Sequence, residues 1–299
     1  MRTFKPVAVL LSCLSVFLLS GCKAVLLQPK GPVAKSETEL LITAVILMLL
    51  IVIPVIVMTL VVAWKYRASN TKAKYSPNWA HSTKLEIVWW TIPCIIILIL
   101  AILTWIYTHS LSPYKPLDTK GKPLTIQVIA LNWKWLFIYP DQHIAVVNHL
   151  EFPVNQQVRF LIASDGPMNS FIIPALGGQI YAMAGMRTQM HLMASQPGTY
   201  NGFSANLSGD GFSWMTFTAT ATSEKAFNAW VKKAQQAPQK LTVAAYKKLS
   251  IPSENNPIAY YSSPTKHLFR NEMMKFMNPR VAKKYDLPKK DDVLIKVNY

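Results

Sequence analysis

The first part of the chain contains two long apolar runs without a charge, at about residues 40–64 and 87–107. As a helix, each run can cross a hydrocarbon core of about 30 Å. Pro54 and Pro93 lie within these runs, and prolines are tolerated in membrane helices, where they kink the backbone. The pattern predicts a membrane protein in which residues 22–110 contain an N-terminal segment and a two-helix transmembrane hairpin.

After residue 110 the apolar pattern takes the period of a β-strand, in which successive side chains point to opposite faces. Residues 124–128, 189–192 and 215–220 alternate in this way, and turn residues separate them. Short strands at this spacing predict an all-β sandwich or barrel. We assign residues 111–222 to this domain, so that the chain combines α-helical and all-β parts.

Residues 223–299 are predicted to form a basic helical C-terminal arm. Ser223 is a suitable N-cap for its first helix. One apolar stripe at helical spacing follows it: Phe227, Trp230, Val231 and Ala234. Further helical pieces are predicted near residues 242–249 and 265–277. The charge and proline content of this arm predicts that it is extended and packs on another body.

The first 21 residues have the pattern of a signal peptide, with Arg2 and Lys5 before an apolar stretch. The stretch ends in Leu-Ser-Gly followed by Cys22, which resembles a bacterial lipoprotein box. Cleavage there makes Cys22 the diacylated N-terminus of the mature chain, anchored in the membrane lipid. An ordinary leader with a chance cysteine is the alternative.

The formal charge of +17 is distributed unevenly. The hairpin loop, residues 65–86, carries five basic residues and one acid, which predicts that it is cytoplasmic and that both mature termini are periplasmic. Residues 111–224 are balanced, whereas residues 225–299 carry fifteen basic and five acidic residues. Because the chain is exported, we predict no nucleic acid partner. Anionic lipid head groups or acidic faces of partner subunits fit the basic arm, as does a merely solvated surface.

The predicted β domain lacks the sulfur ligands that copper proteins use. The cysteines of the chain are Cys13, Cys22 and Cys94. None lies in the exported domain, which excludes a disulfide and a blue-copper site there. Imidazole is a common zinc ligand, but we do not expect His143, His149 and His191 to form a zinc site. We predict that His191 points to solvent or to a subunit face, because it alternates with apolar neighbours.

Four segments in fixed order carry a family resemblance: residues 85–93, 132–140, 168–186 and 200–215. Together they resemble subunit II of the haem–copper oxidases, and within it the quinol-oxidising bo-type branch. The resemblance covers roughly residues 20–235. It implies a cupredoxin-like Greek-key β-barrel after the membrane hairpin, in the periplasm of a bacterium with the chain held in the inner membrane.

In this superfamily the loop matching residues 200–215 holds a dinuclear copper centre with the pattern Cys-x-Glu-x-Cys-x3-His-x2-Met and a second His upstream. The residues at those ligand positions here are Asn169, Ser204, Asn206, Ser208, Phe212 and Met215. Only Met215 is retained, and hydroxyl, amide and phenyl groups cannot replace thiolates and imidazoles. The resemblance therefore implies a copper-domain scaffold without metal or other cofactor.

The resemblance also implies the role of the complex. The complex oxidises ubiquinol, reduces oxygen to water and pumps protons, while the haems, the remaining copper and the quinol site belong to subunit I. This chain then packs against subunit I and further small membrane subunits. Two alternatives stay open: a copper-bearing cytochrome c oxidase subunit, and an envelope lipoprotein acting in assembly or binding.

Two further features have competing interpretations. Glu86 precedes the second apolar run, where it is either an interfacial anchor or, as the resemblance implies, a residue at the entrance of a proton channel in the partner subunit.

Tryptophans matching residues 133 and 135 resemble a cytochrome c docking site. Without copper to receive an electron, we predict no cytochrome c partner. We expect core and interface contacts for the aromatic residues of this segment, Trp133, Trp135, Phe137 and Tyr139.

Overall fold

The computed structural model describes residues 24–74, 76–119 and 121–276, so the predicted signal peptide and Cys22 lie outside the described residues. Helix α1 is Pro32–Lys65 and helix α2 is Thr83–Ser110. Both are long and apolar enough to cross a membrane. Each extends beyond the predicted charge-free run, because a helix continues through the head-group layer, where charged side chains are solvated.

Eleven strands lie within the described residues. In chain order they are β1 Leu124–Leu131, β2 Lys134–Tyr139, β3 Ile144–Val147, β4 His149–Pro153, β5 Val158–Ser164, β6 Asn169–Ile173, β7 Gly177–Ala182, β8 Thr188–Leu192, β9 Gly198–Ser204, β10 Thr216–Thr222 and β11 Ala259–Ser262. One sheet has the order β11-β3-β2-β1-β5-β8 and the other the order β4-β10-β9-β6-β7. The β1–β5 and β4–β10 pairs are parallel. The two sheets form a β-sandwich, which confirms the predicted cupredoxin-like domain.

The inner core lies between the two sheets and is rich in aromatic side chains. Trp135 and Phe137 project into it from β2, and both are fully buried. Phe171 from β6 and Phe217 from β10 stack with ring centroids 5.1 Å apart. Trp135 meets both of these rings edge-on. Such pairs stabilise the core by about 0.5–1.5 kcal/mol each beyond the burial of their area.

The arm contains helices α3 Glu224–Gln235, α4 Val243–Leu249 and α5 Leu268–Lys275. The Ser223 hydroxyl accepts a hydrogen bond from the Ala226 amide at 3.3 Å, which confirms the predicted helix start. The helical pieces predicted further along the arm are also present.

The arm does not extend away from the β domain, so this part of the prediction is wrong for the residues up to 276. It packs across the outer face of the six-stranded sheet, and β11 pairs with the sheet edge at β3. The buried residues of this outer core are Ile129, Leu131, Leu136, Ile138, Ala145, Val147, Leu161 and Ala163 from the sheet with Leu241, Tyr246, Tyr261, Leu268 and Phe269 from the arm. The physical reason is that both faces of β1, β2 and β3 are apolar, so the sheet needs a second cover.

Backbone hydrogen bonds join the membrane hairpin to the sandwich at the beginning of α1. The Lys30 amide donates to the Ala175 carbonyl at 2.7 Å, and the Ala34 amide donates to the Leu176 carbonyl at 3.1 Å. Gly31 lies so close to backbone carbonyls of the β domain that an added Cβ would clash with them. This junction fixes the orientation of the β domain on its membrane anchor.

Candidate functional site

The residues at the positions that the resemblance matches to copper ligands lie together at one end of the sandwich, and we call them the lost-ligand cluster. Asn169 begins β6 and Ser204 ends β9, and both are buried. The Ser204 hydroxyl donates to Asn169 Oδ1 at 3.0 Å and accepts from the Ser170 amide at 3.3 Å. The Asn206 amide group donates to the Met168 carbonyl at 2.9 Å. Asn169, Ser204 and Asn206 therefore form one hydrogen-bonded cluster with their own backbone.

The remaining positions of the motif complete this cluster. The Ser208 hydroxyl points to the sulfur of Met215, at 3.9 Å, and Met215 is buried. Phe212 lies half-buried in the 3₁₀ turn Asp210–Trp214. The sequence motif thus identified side chains that the fold brings together, and the 3₁₀ turn supplies a phenyl ring in place of an imidazole.

The residues of this cluster do not fit copper. Their donor atoms are hydroxyl and amide groups, a phenyl ring has no lone pair, and neighbouring groups already satisfy the buried polar atoms. Elsewhere in the described part of the chain, no group of three or more His, Cys, Asp or Glu residues could hold a metal ion. His149, for example, contacts the Thr218 hydroxyl at 2.7 Å and the Glu151 carboxylate at 3.1 Å.

The aromatic segment before the cluster supplies core contacts, as predicted. Trp135 is fully buried, and its indole nitrogen donates to the Met215 carbonyl at 3.4 Å. Trp133 lies in the turn between β1 and β2 and donates from its indole nitrogen to the Ser208 carbonyl at 3.1 Å. Gly211 packs against the Trp133 ring so closely that a Cβ would collide with it. Trp133 and Trp135 therefore hold the loop that contains Ser208, Gly211 and Met215 through these contacts.

The prediction that His191 points to solvent or to a subunit face is wrong within this chain, because the linker after α2 covers it. The imidazole is buried, and its Nδ1 donates to the Pro113 carbonyl at 3.2 Å. Burial lowers the pKa of His191, the hydrogen bond to the Pro113 carbonyl offsets part of this, and the nearby Arg159 guanidinium lowers it further. The imidazole is therefore neutral at pH 7.

Glu86 lies in the first turn of α2, where the helix dipole favours a carboxylate. Its Oε1 is 2.6 Å from Nδ1 of His81, in the loop before the helix. The Glu86 side chain is 52% exposed, so a partner can reach it. It lies at the far end of the hairpin from the β domain, so Glu86 and the lost-ligand cluster are separate sites.

Sequence reasoning missed an exposed apolar surface beside the lost-ligand cluster. Met168 is 43%, Leu207 76% and Trp214 49% exposed. We call these three residues the apolar rim. Their signal in the sequence was large apolar residues within two loops: Met168 in the loop before β6, and Leu207 and Trp214 in the loop between β9 and β10. Large apolar side chains that stay exposed beside one cluster make this a candidate interaction surface.

Three family models match the chain. They are the cytochrome c oxidase subunit II transmembrane domain over residues 26–105, the cytochrome c oxidase subunit II periplasmic domain over residues 140–222 and the COX aromatic rich motif over residues 235–280. The third match extends the resemblance beyond residue 235, into the arm.

Curated relatives match nearly the whole chain. Cytochrome bo(3) ubiquinol oxidase subunit 2 of Pseudomonas aeruginosa is 54% identical over 91% of this chain and 82% of its own length. Ubiquinol oxidase subunit 2 of Acetobacter aceti is 50% identical over 90% of this chain and 88% of its own length. Quinol oxidase subunit 2 of Bacillus subtilis is 40% identical over 89% of this chain and 84% of its own length.

Proposed function

The chain belongs to the family of cytochrome bo(3) ubiquinol oxidase subunit 2, and we propose that it serves an oxidase complex without a redox centre of its own. The complex transfers electrons from ubiquinol to oxygen and pumps protons, while haems and copper reside in subunit I. The observation that carries this proposal is the hydrogen-bonded cluster at the lost ligand positions. Its polar atoms are hydrogen-bonded within the protein, so the loop is held by these hydrogen bonds rather than by a metal ion.

We propose that the apolar rim docks the β domain on subunit I. Met168, Leu207 and Trp214 expose large apolar side chains, and Met and aromatic residues such as Trp are enriched in the cores of protein interfaces. The outer faces of α1 and α2 are apolar and exposed along most of their length, and membrane lipid, subunit I and further small subunits cover them. The β domain then caps the complex and cytochrome c has no role.

The proposed location is the bacterial inner membrane. The basic loop between α1 and α2 supports a cytoplasmic position for that loop, with the β domain and both mature termini periplasmic. The lipoprotein box supports diacylation at Cys22, which adds a lipid anchor to the two helices. A complex that faces both compartments in this way can move protons between them.

Oxygen uptake by the complex purified through this chain tests the proposed function. We expect uptake when ubiquinol is supplied and none when reduced cytochrome c is supplied. Uptake driven by cytochrome c would contradict the absence of an electron entry on this chain. A preparation without haem and without uptake would instead indicate an envelope lipoprotein.

We propose that Glu86 helps to form the entrance of a proton channel in the partner subunit. A carboxylate at the membrane surface attracts protons and raises their local concentration. The short contact with His81 adds a second proton-carrying group beside it. Both side chains are more than half exposed, which leaves them accessible to water and to subunit I.

Glu86→Gln is expected to slow ubiquinol-driven oxygen uptake by about tenfold while the complex still assembles, because the amide cannot carry a proton. Turnover per haem and proton uptake measure the effect. The matched control is Glu39→Gln, an exposed acid on α1 that pairs with Lys35 at the other end of the hairpin. Unchanged turnover and proton uptake in Glu86→Gln would refute a role in proton entry.

A further inference from the structure

A pocket of about 260 Å³ lies where the membrane hairpin meets the β domain. Three parts of the chain form its walls: the first turns of α1, the linker that follows α2 and the edge strands β7 and β8. The proposed function uses none of these residues. The pocket is therefore a separate candidate for a binding site.

The pocket lies at the depth of the phospholipid head groups. Glu37 stands three residues before the first charge-free run, and Ser110 stands three residues after the second. At a rise of about 1.5 Å per residue, both lie about 4–5 Å outside the hydrocarbon core. The head-group layer on each side is about 5–7 Å thick. A ligand in this pocket can therefore belong to the membrane.

The carboxyl group of Glu37 is anchored in the wall of the pocket, where burial raises its pKa and the hydrogen bond from Gly178 partly offsets this. Its Oε1 accepts a hydrogen bond from the Gly178 amide of β7 at 3.0 Å. This contact fixes the carboxylate against the sheet edge. A carboxylate has about four lone-pair sites, so one amide leaves room for a cationic donor.

The rest of the lining suits an amphipathic molecule. Lys115 and Asp118 are exposed at the mouth of the pocket, where Lys115 offers a cation to a phosphate. The neutral imidazole of His191 adds no charge. The apolar part of the wall consists of Val33, Leu111, Leu117, Met190 and Leu192. Polar and apolar surfaces thus meet in one pocket, as they do at the junction of a lipid head group and its acyl chains.

We propose that this pocket binds the phosphoethanolamine head group of a membrane phospholipid, with the ammonium at Glu37 and the phosphate at Lys115. A primary ammonium donates N–H hydrogen bonds to a carboxylate. A choline head group has no such donor, and a glycerol head group has no cation. The volume suits a group of about eight heavy atoms, given about 30 Å³ for each water-sized group.

Lipid retention by the purified complex tests this inference. The complex is washed free of loosely bound lipid and incubated with equal amounts of phosphatidylethanolamine, phosphatidylcholine and phosphatidylglycerol. Native mass spectrometry then counts the lipids that remain. Glu37→Gln is expected to retain one phosphatidylethanolamine fewer per complex than the unmodified chain, because the neutral amide offers the ammonium a weaker hydrogen bond without an opposite charge.

Three further variants sharpen the test. Glu39→Gln, an exposed acid on the same helix, is expected to retain the lipid. Gly178→Ala is expected to lose it, because the new Cβ would lie 2.8 Å from Glu37 Oε1 and displace the carboxylate. Lys115→Gln, at the mouth of the pocket, is expected to weaken retention of phosphatidylethanolamine. This variant still tests the site if the Glu37 variant fails to assemble.

Equal phosphatidylethanolamine retention by the Glu37→Gln and unmodified complexes would overturn the proposal. Retention of phosphatidylcholine or phosphatidylglycerol by the unmodified complex in the same amount as phosphatidylethanolamine would also overturn it. The inference needs only the membrane placement of the hairpin and not the oxidase activity. Its failure and that of the proposed function are therefore distinguishable.

Discussion

Trp135→Ala is expected to lower the free energy of unfolding of the β domain by about 3–5 kcal/mol. The side chain is fully buried between the sheets and meets Phe171 and Phe217 edge-on, with ring centroids 5.4 and 5.8 Å away. Its removal leaves a cavity in the most aromatic part of the core. Denaturant unfolding of the purified chain in detergent, followed by circular dichroism of the β domain, measures the loss.

Trp214→Ala is the matched control, because Trp214 is half-exposed and should contribute little to the stability of the chain alone. Trp135→Phe is expected to keep most of the core and to retain ubiquinol-driven turnover per assembled complex. An effect of Trp135→Ala no larger than that of Trp214→Ala would contradict the packing role. Loss of turnover in well-assembled Trp135→Phe would point to electron transfer through this ring.

Lys134→Met is expected to detach part of the arm and to lower the free energy of unfolding by about 2–4 kcal/mol. The Lys134 ammonium is buried and donates to the carbonyls of Leu249 and Ile251, both at 2.9 Å, and to the Ser253 hydroxyl at 2.5 Å. Burial lowers the pKa of Lys134, and these acceptors offset part of the desolvation. A methionine fills the volume but leaves the three acceptors without their donor.

Limited proteolysis measures detachment of the arm, and denaturant unfolding measures the stability. We expect faster cleavage near residues 249–256 in Lys134→Met than in Lys122→Met, a control at an exposed lysine just before β1. Equal cleavage rates in the two variants would show that the buried ammonium does not hold the arm.

The sequence was most informative where one physical requirement dominates. The hydrocarbon core excludes charge, so the charge-free runs located both membrane helices. The hydropathy pattern did not predict that α1 begins at Pro32 and that α2 ends at Ser110, because both helices continue beyond the hydrocarbon core. The motif spacing likewise located Asn169 and Ser204, which the fold joins by a hydrogen bond. Period-two alternation located β10, whose one face is buried and whose other face is not.

The sequence misled where both faces of a strand are covered. All five residues of β8 are buried, so alternation around His191 carried no information about solvent. The four residues of β11 became a strand because β3 offered a sheet edge, and a segment this short has no pattern of its own. The basic, proline-rich composition of the arm suggested an extended segment, whereas a few apolar residues such as Tyr246 and Phe269 hold it on the sheet.

The pairing of β11 with β3 imposes an order on folding. The residues that pair lie more than 100 positions apart, so the edge of the six-stranded sheet and its apolar outer face remain open until the arm has been synthesised. At about 5–20 residues per second, this interval is on the order of ten seconds. Exposed strand edges promote aggregation. The nascent chain is therefore most vulnerable just before β11 is made, and a truncation that removes β11 would prolong that state indefinitely.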